Sequence, residues 1–226
     1  GDARIWDHVS RLVGQQPADC MWTDPPYGVE YVGKTADALT IEGDEQAGLA
    51  ALLEASFAQA PAALVPGAAV YLAHPPGALS RKFARAFVDA GWRLHQRLIW
   101  RKDVFVLGHS DYHYQHEDIL YGYTPGEGRR GRGGEGWYGG HDQASVFEVA
   151  RPKRSEAHPT MKPVDLVAPA LVNFCPPGRA FVLVIPGVAF WITSWPFAEF
   201  VKHAWGGAWV CSAFRNERPD LHRSSD

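Results

Sequence analysis

A chain of 226 residues with 46% apolar and 21% charged side chains is long enough for a substantial core and too apolar for a disordered segment. Its net charge of −3 excludes a generally basic nucleic-acid coat, so any contact with DNA requires a local basic patch. No window of about eighteen residues is wholly apolar and uncharged, and no basic-then-apolar leader opens the chain; neither a membrane span nor a signal peptide is expected.

Cys20, Cys175 and Cys211 are odd in number and far apart. They match neither a disulfide framework nor a zinc-knuckle spacing, and they lead us to expect a reducing, cytoplasmic setting. Gly1 stands where an initiator methionine would, which leads us to expect a longer chain upstream.

In chain order, Ala18–Thr23 is a short apolar run closing on a turn and predicts a strand. Residues 44–63, rich in Ala, Leu and Glu at helical spacing, predict a helix with Asp44 as its cap. Pro66 and Gly67 break that helix, and residues 68–73 predict a buried strand. Residues 80–90 return to helical spacing, with Phe83, Phe87 and Val88 on one face, Arg81, Lys82 and Arg85 off it, and Gly91 as the stop. Residues 92–100 and 118–123 predict two more strands, and residues 164–173 a helix after the polar loop 155–163. This alternation predicts one α/β domain with a mostly parallel sheet. Such sheets bind ligands at the carboxyl ends of their strands, where residues 23–28 fall.

Asp24, Pro25, Pro26 and Tyr27 suit one kind of chemistry. An exocyclic amino group on adenine or cytosine is a poor nucleophile because its lone pair is delocalised into the ring. Two acceptors on its N–H groups make the nitrogen more tetrahedral and aim the lone pair at an electrophile. The Asp24 carboxylate supplies one acceptor, and the Pro25 carbonyl, held by restricted backbones, the other. Tyr27 offers a ring face on which an extruded base stacks. Two prolines cannot continue a sheet ladder, so the loop leaves the sheet and stands open to ligand. The plainer reading is a Pro-Pro turn that closes a strand, with Tyr27 merely packed.

Residues 124–140 are glycine-rich, with Arg129, Arg130 and Arg132 clustered and Trp137 and Tyr138 following. Composition alone favours a flexible surface loop. The other reading is a nucleic-acid arm, whose arginines contact phosphates or guanine edges and whose aromatic rings wedge or stack.

Residues 23–28 (TDPPYG) resemble the catalytic motif of the amino-group DNA methyltransferases. An aspartate in first place is typical of the adenine-N6 branch, and serine is commoner in the cytosine-N4 branch. Gly1 and Asp2 look like the pair that contacts the cofactor adenosine. Residues 31–41 (YVGKTADALTI), 112–123 (YHYQHEDILYGY), 137–143 (WYGGHDQ) and 158–164 (HPTMKPV) look like the phage and prophage members, some fused behind a ParB-like domain.

The resemblance implies a Rossmann-like, S-adenosylmethionine-dependent methyltransferase fold in the beta order of motifs. It places Asp2, Thr23, His158, Thr160, Lys162 and Pro163 on the cofactor. It makes residues 124–157 a target-recognition insertion, with Arg129, Arg130, Arg132, Trp137, Tyr138, Arg151, Lys153 and Arg154 on double-stranded DNA in a salt-sensitive contact. A homodimer and an upstream ParB-like domain are partners it allows.

The resemblance stops near Gly178. The next strand of the family ends in an Asp-Pro-Phe-x-Gly-x-Gly cofactor loop, followed by a strand carrying an acid for the ribose. Here residues 181–195 read FVLVIPGVAFWITSW, with 182–185 fit for the strand but no Gly-x-Gly and no acid. Residues 179–226 are therefore expected to be an atypical C-terminal segment, disrupted or repacked.

Weaker signals complete the reading. His109, His113 and His116 with Asp111 and Glu117 offer a metal set, but Gly108, Ser110 and Asp111 argue against the helix that would aim two histidines at one ion, so no metal is expected. The glycine-rich stretch lacks the Lys-Ser/Thr of a phosphate loop. The leading expectation is adenine-N6 methylation of a flipped base. The alternatives are a catalytically impaired DNA-binding module, a cytosine-N4 enzyme and, from another class, a histidine-based metal hydrolase.

Overall fold

The computed structural model describes residues 2–13, 16–28, 47–108, 110–126, 131–151, 162–175, 181–185 and 188–192. They belong to one unit, Gly1–Trp195; the second unit, Pro196–Asp226, lies outside the described residues. The elements in chain order are α1 (Trp6–Val13), β1 (Ala18–Thr23), α2 (Leu49–Phe57), α3 (Ala60–Ala63), β2 (Leu64–His74), α4 (Ser80–Asp89), β3 (Arg93–Arg101), β4 (His116–Tyr123), β5 (Val146–Glu148), α5 (Val164–Phe174), β6 (Phe181–Ile185) and β7 (Val188–Ile192).

The strands form one seven-stranded sheet in the order β5-β3-β4-β2-β1-β6-β7. The sheet is mostly parallel, as expected, but not purely so: β1, β2, β3, β5 and β6 run one way, and β4 and β7 the other. Pairs β1–β2, β1–β6 and β3–β5 are parallel, whereas β2–β4, β3–β4 and β6–β7 are antiparallel. The reason lies in the connections. Residues 102–115 fold back on themselves through Val106 N–H to the Tyr114 carbonyl (2.9 Å), and residues 186–187 alone join β6 to β7. The two-residue link has no room for a parallel crossover, which takes about a dozen residues or more, and residues 102–115, though long enough, spend their length on that fold-back.

Helices cover both faces. On one, Met21, Val70, Leu72 and Leu120 meet Leu49, Leu53 and Phe57 of α2, Phe83 and Phe87 of α4, and Trp92. Each such fully buried side chain contributes about 1.5–3 kcal/mol. On the other face, Tyr71 stacks on Trp22 and tilts against Tyr121, and Phe174 of α5 packs on Tyr71, Tyr121 and Tyr123. No described helix is long and apolar enough to cross a membrane.

The local expectations fare unevenly. β1 spans its predicted residues, and α5 runs one residue past its predicted end. The helix over 44–63 is shorter and broken. α2 starts at Leu49 after Gly48, α3 starts anew with Pro61 in its first turn, and Asp44 lies outside the described residues. Pro66 and Gly67 do not precede β2; they lie inside it, at a register shift where the partner skips from Leu64 to Ala69. A bulge tolerates a missing N–H and a left-handed backbone, and Gly67 has φ 74°. Thr124 repairs the gap, its hydroxyl accepting from Ala68 N–H (2.9 Å) and donating to the Val65 carbonyl (3.0 Å). Val88, expected on the buried face of α4, is 53% exposed. Gly91 ends that helix with φ 79°, as the sequence predicts. α1, β5 and β7 are not among the predicted elements, although the amphipathic sequence of α1, with Asp7 in its first turn and Arg11 in its last, suits a helix.

Candidate active site

β4 runs opposite to β1, β2 and β3, so its first residues stand at the edge where those strands end. That edge gathers Asp24 after β1, Lys102 after β3, Glu117 in β4 and Lys162 just before α5. Lys162 Nζ lies 3.0 Å from Asp24 Oδ2 and 3.2 Å from Glu117 Oε2. Lys102 Nζ donates to Glu117 Oε1 at 2.7 Å, and the Tyr27 hydroxyl donates to Glu117 Oε2 at 2.9 Å. Asp24, Lys102 and Lys162 are buried.

Aromatic rings line the same group. Lys162 Nζ sits 4.9 Å from the Tyr27 ring centroid and 6.0 Å from that of Trp100, and Lys102 Nζ is 4.9 Å from Trp100. The half-buried Tyr27 is braced edge-on by Phe83, which also stacks on the buried His74. An ammonium group thus occupies the ring face read from the sequence as a stacking platform. Pro25 and Pro26 are buried, and Gly28 closes the loop with φ 69°.

The two carboxylates differ. Burial raises the Asp24 pKa; Lys162 pulls it down and the Glu117 charge pushes it up, and the net direction is upward. Burial pushes Glu117 up as well, but Lys162 and Lys102 outweigh it and hold its pKa at about 2. Lys162 is disfavoured as a cation by burial, yet the two carboxylates raise its pKa. Asp24 Oδ1 is buried and has no hydrogen-bond partner among the described residues. A buried acceptor left unpaired costs about 1–3 kcal/mol, so this oxygen is a place where an N–H donor gains most.

The structure brings Asp24, Pro25, Pro26, Tyr27, Thr23, Lys162 and Pro163 to one edge. The Asp2 carboxylate accepts from Arg4 Nη2 (2.6 Å) and Nε, which lower its pKa to about 2. His158 and Thr160 lie outside the described residues, as do Arg129, Arg130, Lys153 and Arg154.

The remaining basic and aromatic candidates divide. Arg151 is exposed at the Asp24 edge, its N–H donating to Asp103 Oδ1 (2.9 Å). Arg132, Trp137 and Tyr138 sit at the far end of α5. Tyr138 N–H donates to the Asn173 carbonyl (2.9 Å), Trp137 packs edge-on against Phe174 and Arg132 reaches the His141 carbonyl (3.3 Å). The eleven residues of α5 separate that end from Lys162 by about 16 Å.

Sequence reasoning missed Lys102 and Trp100; it offered Glu117 in a metal set and, through the resemblance, at the entrance to a strand beside the base pocket, but not as the partner of two lysines. Among the described residues no three His, Cys, Asp or Glu side chains gather to hold a metal ion; His113 stacks on Phe105, and His109 is outside them.

No protein-family model and no curated protein sequence matches the chain. Solved structures do. The M1.HpyAVI–SAM complex superposes with a TM-score of 0.53 and 14% identity over 81% of this chain and 79% of that one. A second M1.HpyAVI structure gives 0.52 and 14%, over 81% and 77%. At this identity the likeness speaks for the fold, which is the Rossmann-like fold of S-adenosylmethionine-dependent methyltransferases, with a mixed sheet.

Proposed function

We propose that the chain is a DNA methyltransferase that modifies the N6 amino group of an adenine turned out of double-stranded DNA, with S-adenosylmethionine as methyl donor. The observation that carries this reading is the buried Oδ1 of Asp24 at the carboxyl end of β1, which has no hydrogen-bond partner among the described residues. The fold likeness to a protein solved with SAM supports it.

The residues at the transfer point fit a sulfonium cofactor. Asp24, Glu117, Tyr27 and Trp100 surround the Lys162 ammonium, an acidic and aromatic lining that would take a sulfonium once Lys162 withdraws from it. Thr23, Lys162 and Pro163 would hold the methionine end. When bound, S-adenosylmethionine supplies an electrophilic methyl group.

The chain's own residues do the rest. Asp24 Oδ1 accepts one amino N–H and the Pro25 carbonyl the other, so that the nitrogen lone pair turns out of the ring plane. Tyr27 stacks on the base once Lys162 moves off its ring face. Positioning and charge complementarity thereby supply most of the rate. Asp24, with its pKa raised by burial, takes the proton the methylated amine releases and passes it to water.

Incorporation of labelled methyl into unmethylated plasmid DNA tests the assignment. Asp24→Ala should abolish methylation, a loss of about 100-fold or more, while DNA affinity stays within about twofold. A mutant with the wild-type rate sinks it.

One observation favours a second reading, a methyltransferase-like DNA-binding module without catalysis. Only two residues lie between the end of β6 and the start of β7, and the sequence 181–195 holds no Gly-x-Gly. Calorimetry with S-adenosylmethionine separates the two: the enzyme binds it, and the module does not.

A further inference from the structure

Residues 102–115 form an arm that rises from the same sheet edge as Asp24. It is braced at its base. Lys102 N–H donates to the Gln115 carbonyl (2.8 Å), Gln115 Nε2 to the Lys102 carbonyl (3.0 Å), and Arg151 N–H to Asp103 Oδ1 (2.9 Å). Further out, Val106 N–H bonds the Tyr114 carbonyl, and Phe105 stacks flat on His113 at 5.3 Å. Tyr114 fits closely under Gly77, where a Cβ would fall 2.7 Å from its hydroxyl oxygen.

This ordered arm carries apolar groups into water. Leu107 is 73% exposed, Tyr112 89%, Phe105 53% and Val104 52%. A run of neighbouring large apolar residues at an exposed tip is not explained by the core, which they do not touch, and marks a contact surface. The first residue of the arm, Lys102, is also a member of the Asp24 group through Glu117. A duplex that delivers a base to Asp24 must therefore lie against the arm.

We propose that the arm is a wedge whose tip, Leu107 and Tyr112 foremost, enters the base stack of double-stranded DNA and fills the gap left by the extruded base. Apolar side chains inserted between bases replace lost stacking, and an aromatic ring does so on either strand. The exposed Arg151 beside the base of the arm suits the flanking phosphate. The inference rests on the proposed methyltransferase function and adds the element that opens the duplex.

The test uses the full chain and unmethylated plasmid DNA, on which the modified position is first mapped by sequencing. A duplex with 2-aminopurine at that position then reports extrusion by its fluorescence. We expect a several-fold rise with the wild type and its loss in the Leu107→Ser/Tyr112→Ser double variant. Affinity for the matched duplex should fall about tenfold, and binding to the same duplex with a mismatch at the target should return to the wild-type level.

A double variant that extrudes the base as well as the wild type overturns the wedge. So does a change in sedimentation mass with fluorescence intact, which assigns the surface to a second copy of the chain. A wild type that modifies no plasmid base removes the methyltransferase reading itself. A wild type that methylates, with an equally active double variant, removes only the wedge.

Discussion

The two ends of α5 solve the same problem in opposite ways. Both bury polar groups against the sheet. At the far end, the Asn173 amide exchanges two hydrogen bonds with Gln143 (2.6 and 2.8 Å), its carbonyl accepts from Tyr138, and the hydroxyls of Tyr121 and Tyr123 meet each other. Each of these hydrogen-bonding groups is neutral. At the near end Lys162 holds two carboxylates, and one oxygen of Asp24 is left over. Charges taken from water cost several kcal/mol each before pairing, so a cluster built for stability alone would resemble the far end. The near end is arranged for something that arrives.

The largest test of this contrast is Lys162→Met, which leaves two buried carboxylates facing each other. Unfolding stability should drop by about 3–5 kcal/mol, read as a shift in the urea midpoint. A loss below about 1 kcal/mol means that the near end is no more charged, in effect, than the far one.

Acid sharpens the difference next. The Glu117 pKa lies near 2 in the fold against 4.5 unperturbed, so its contribution is present above pH 4.5 and is lost as pH falls toward 2. The linkage amounts to about 3 kcal/mol. Denaturation midpoints between pH 6 and 2 should fall steeply for the wild type and flatten in Glu117→Gln; parallel curves would count against the assigned pairing.

The far end should respond less and without regard to pH. Asn173→Ala removes the amide pair and should cost about 1–3 kcal/mol at every pH where the protein folds. The smallest effect has the opposite sign. Because the Asp24 pKa is raised, its charge works against the fold above its unfolded pKa, and its stabilising share is present only below it. Asp24→Asn should therefore raise the thermal midpoint at neutral pH while removing methylation. A lowered midpoint would place Asp24 among the stabilising groups.

How much of this was legible in the sequence follows from what each signal encodes. Ala18–Thr23 could be read because a short, mostly apolar run closed by two prolines has few other meanings, and α5 because its apolar residues return every third or fourth place. Glu117 could not. Side-chain alternation along β4 says which residues share a face, but nothing about which way the strand runs. Only an antiparallel β4 brings its start beside the end of β1. Lys102 was hidden for the same reason, as it lies beyond the last residue of β3. The one available hint was the stretch 102–115 itself, which has no helical periodicity and so cannot be a crossover. α2 misled because its composition runs on past Phe57, whereas Pro61 needs a fresh first turn.

The turn between β6 and β7 has a consequence for anyone wishing to edit this chain. Since β7 runs back, its last residue, Ile192, leaves the sheet on the side away from Asp24. Placing an acid after β7 therefore puts it on the wrong side of the protein, however well it is chosen. Under the proposed methyltransferase reading, a graft meant to supply an acid for the cofactor ribose must lengthen the 186–187 link by roughly a dozen residues, enough for a crossover that reverses β7. The number of residues in one turn, more than the identity of any of them, decides whether that position can exist.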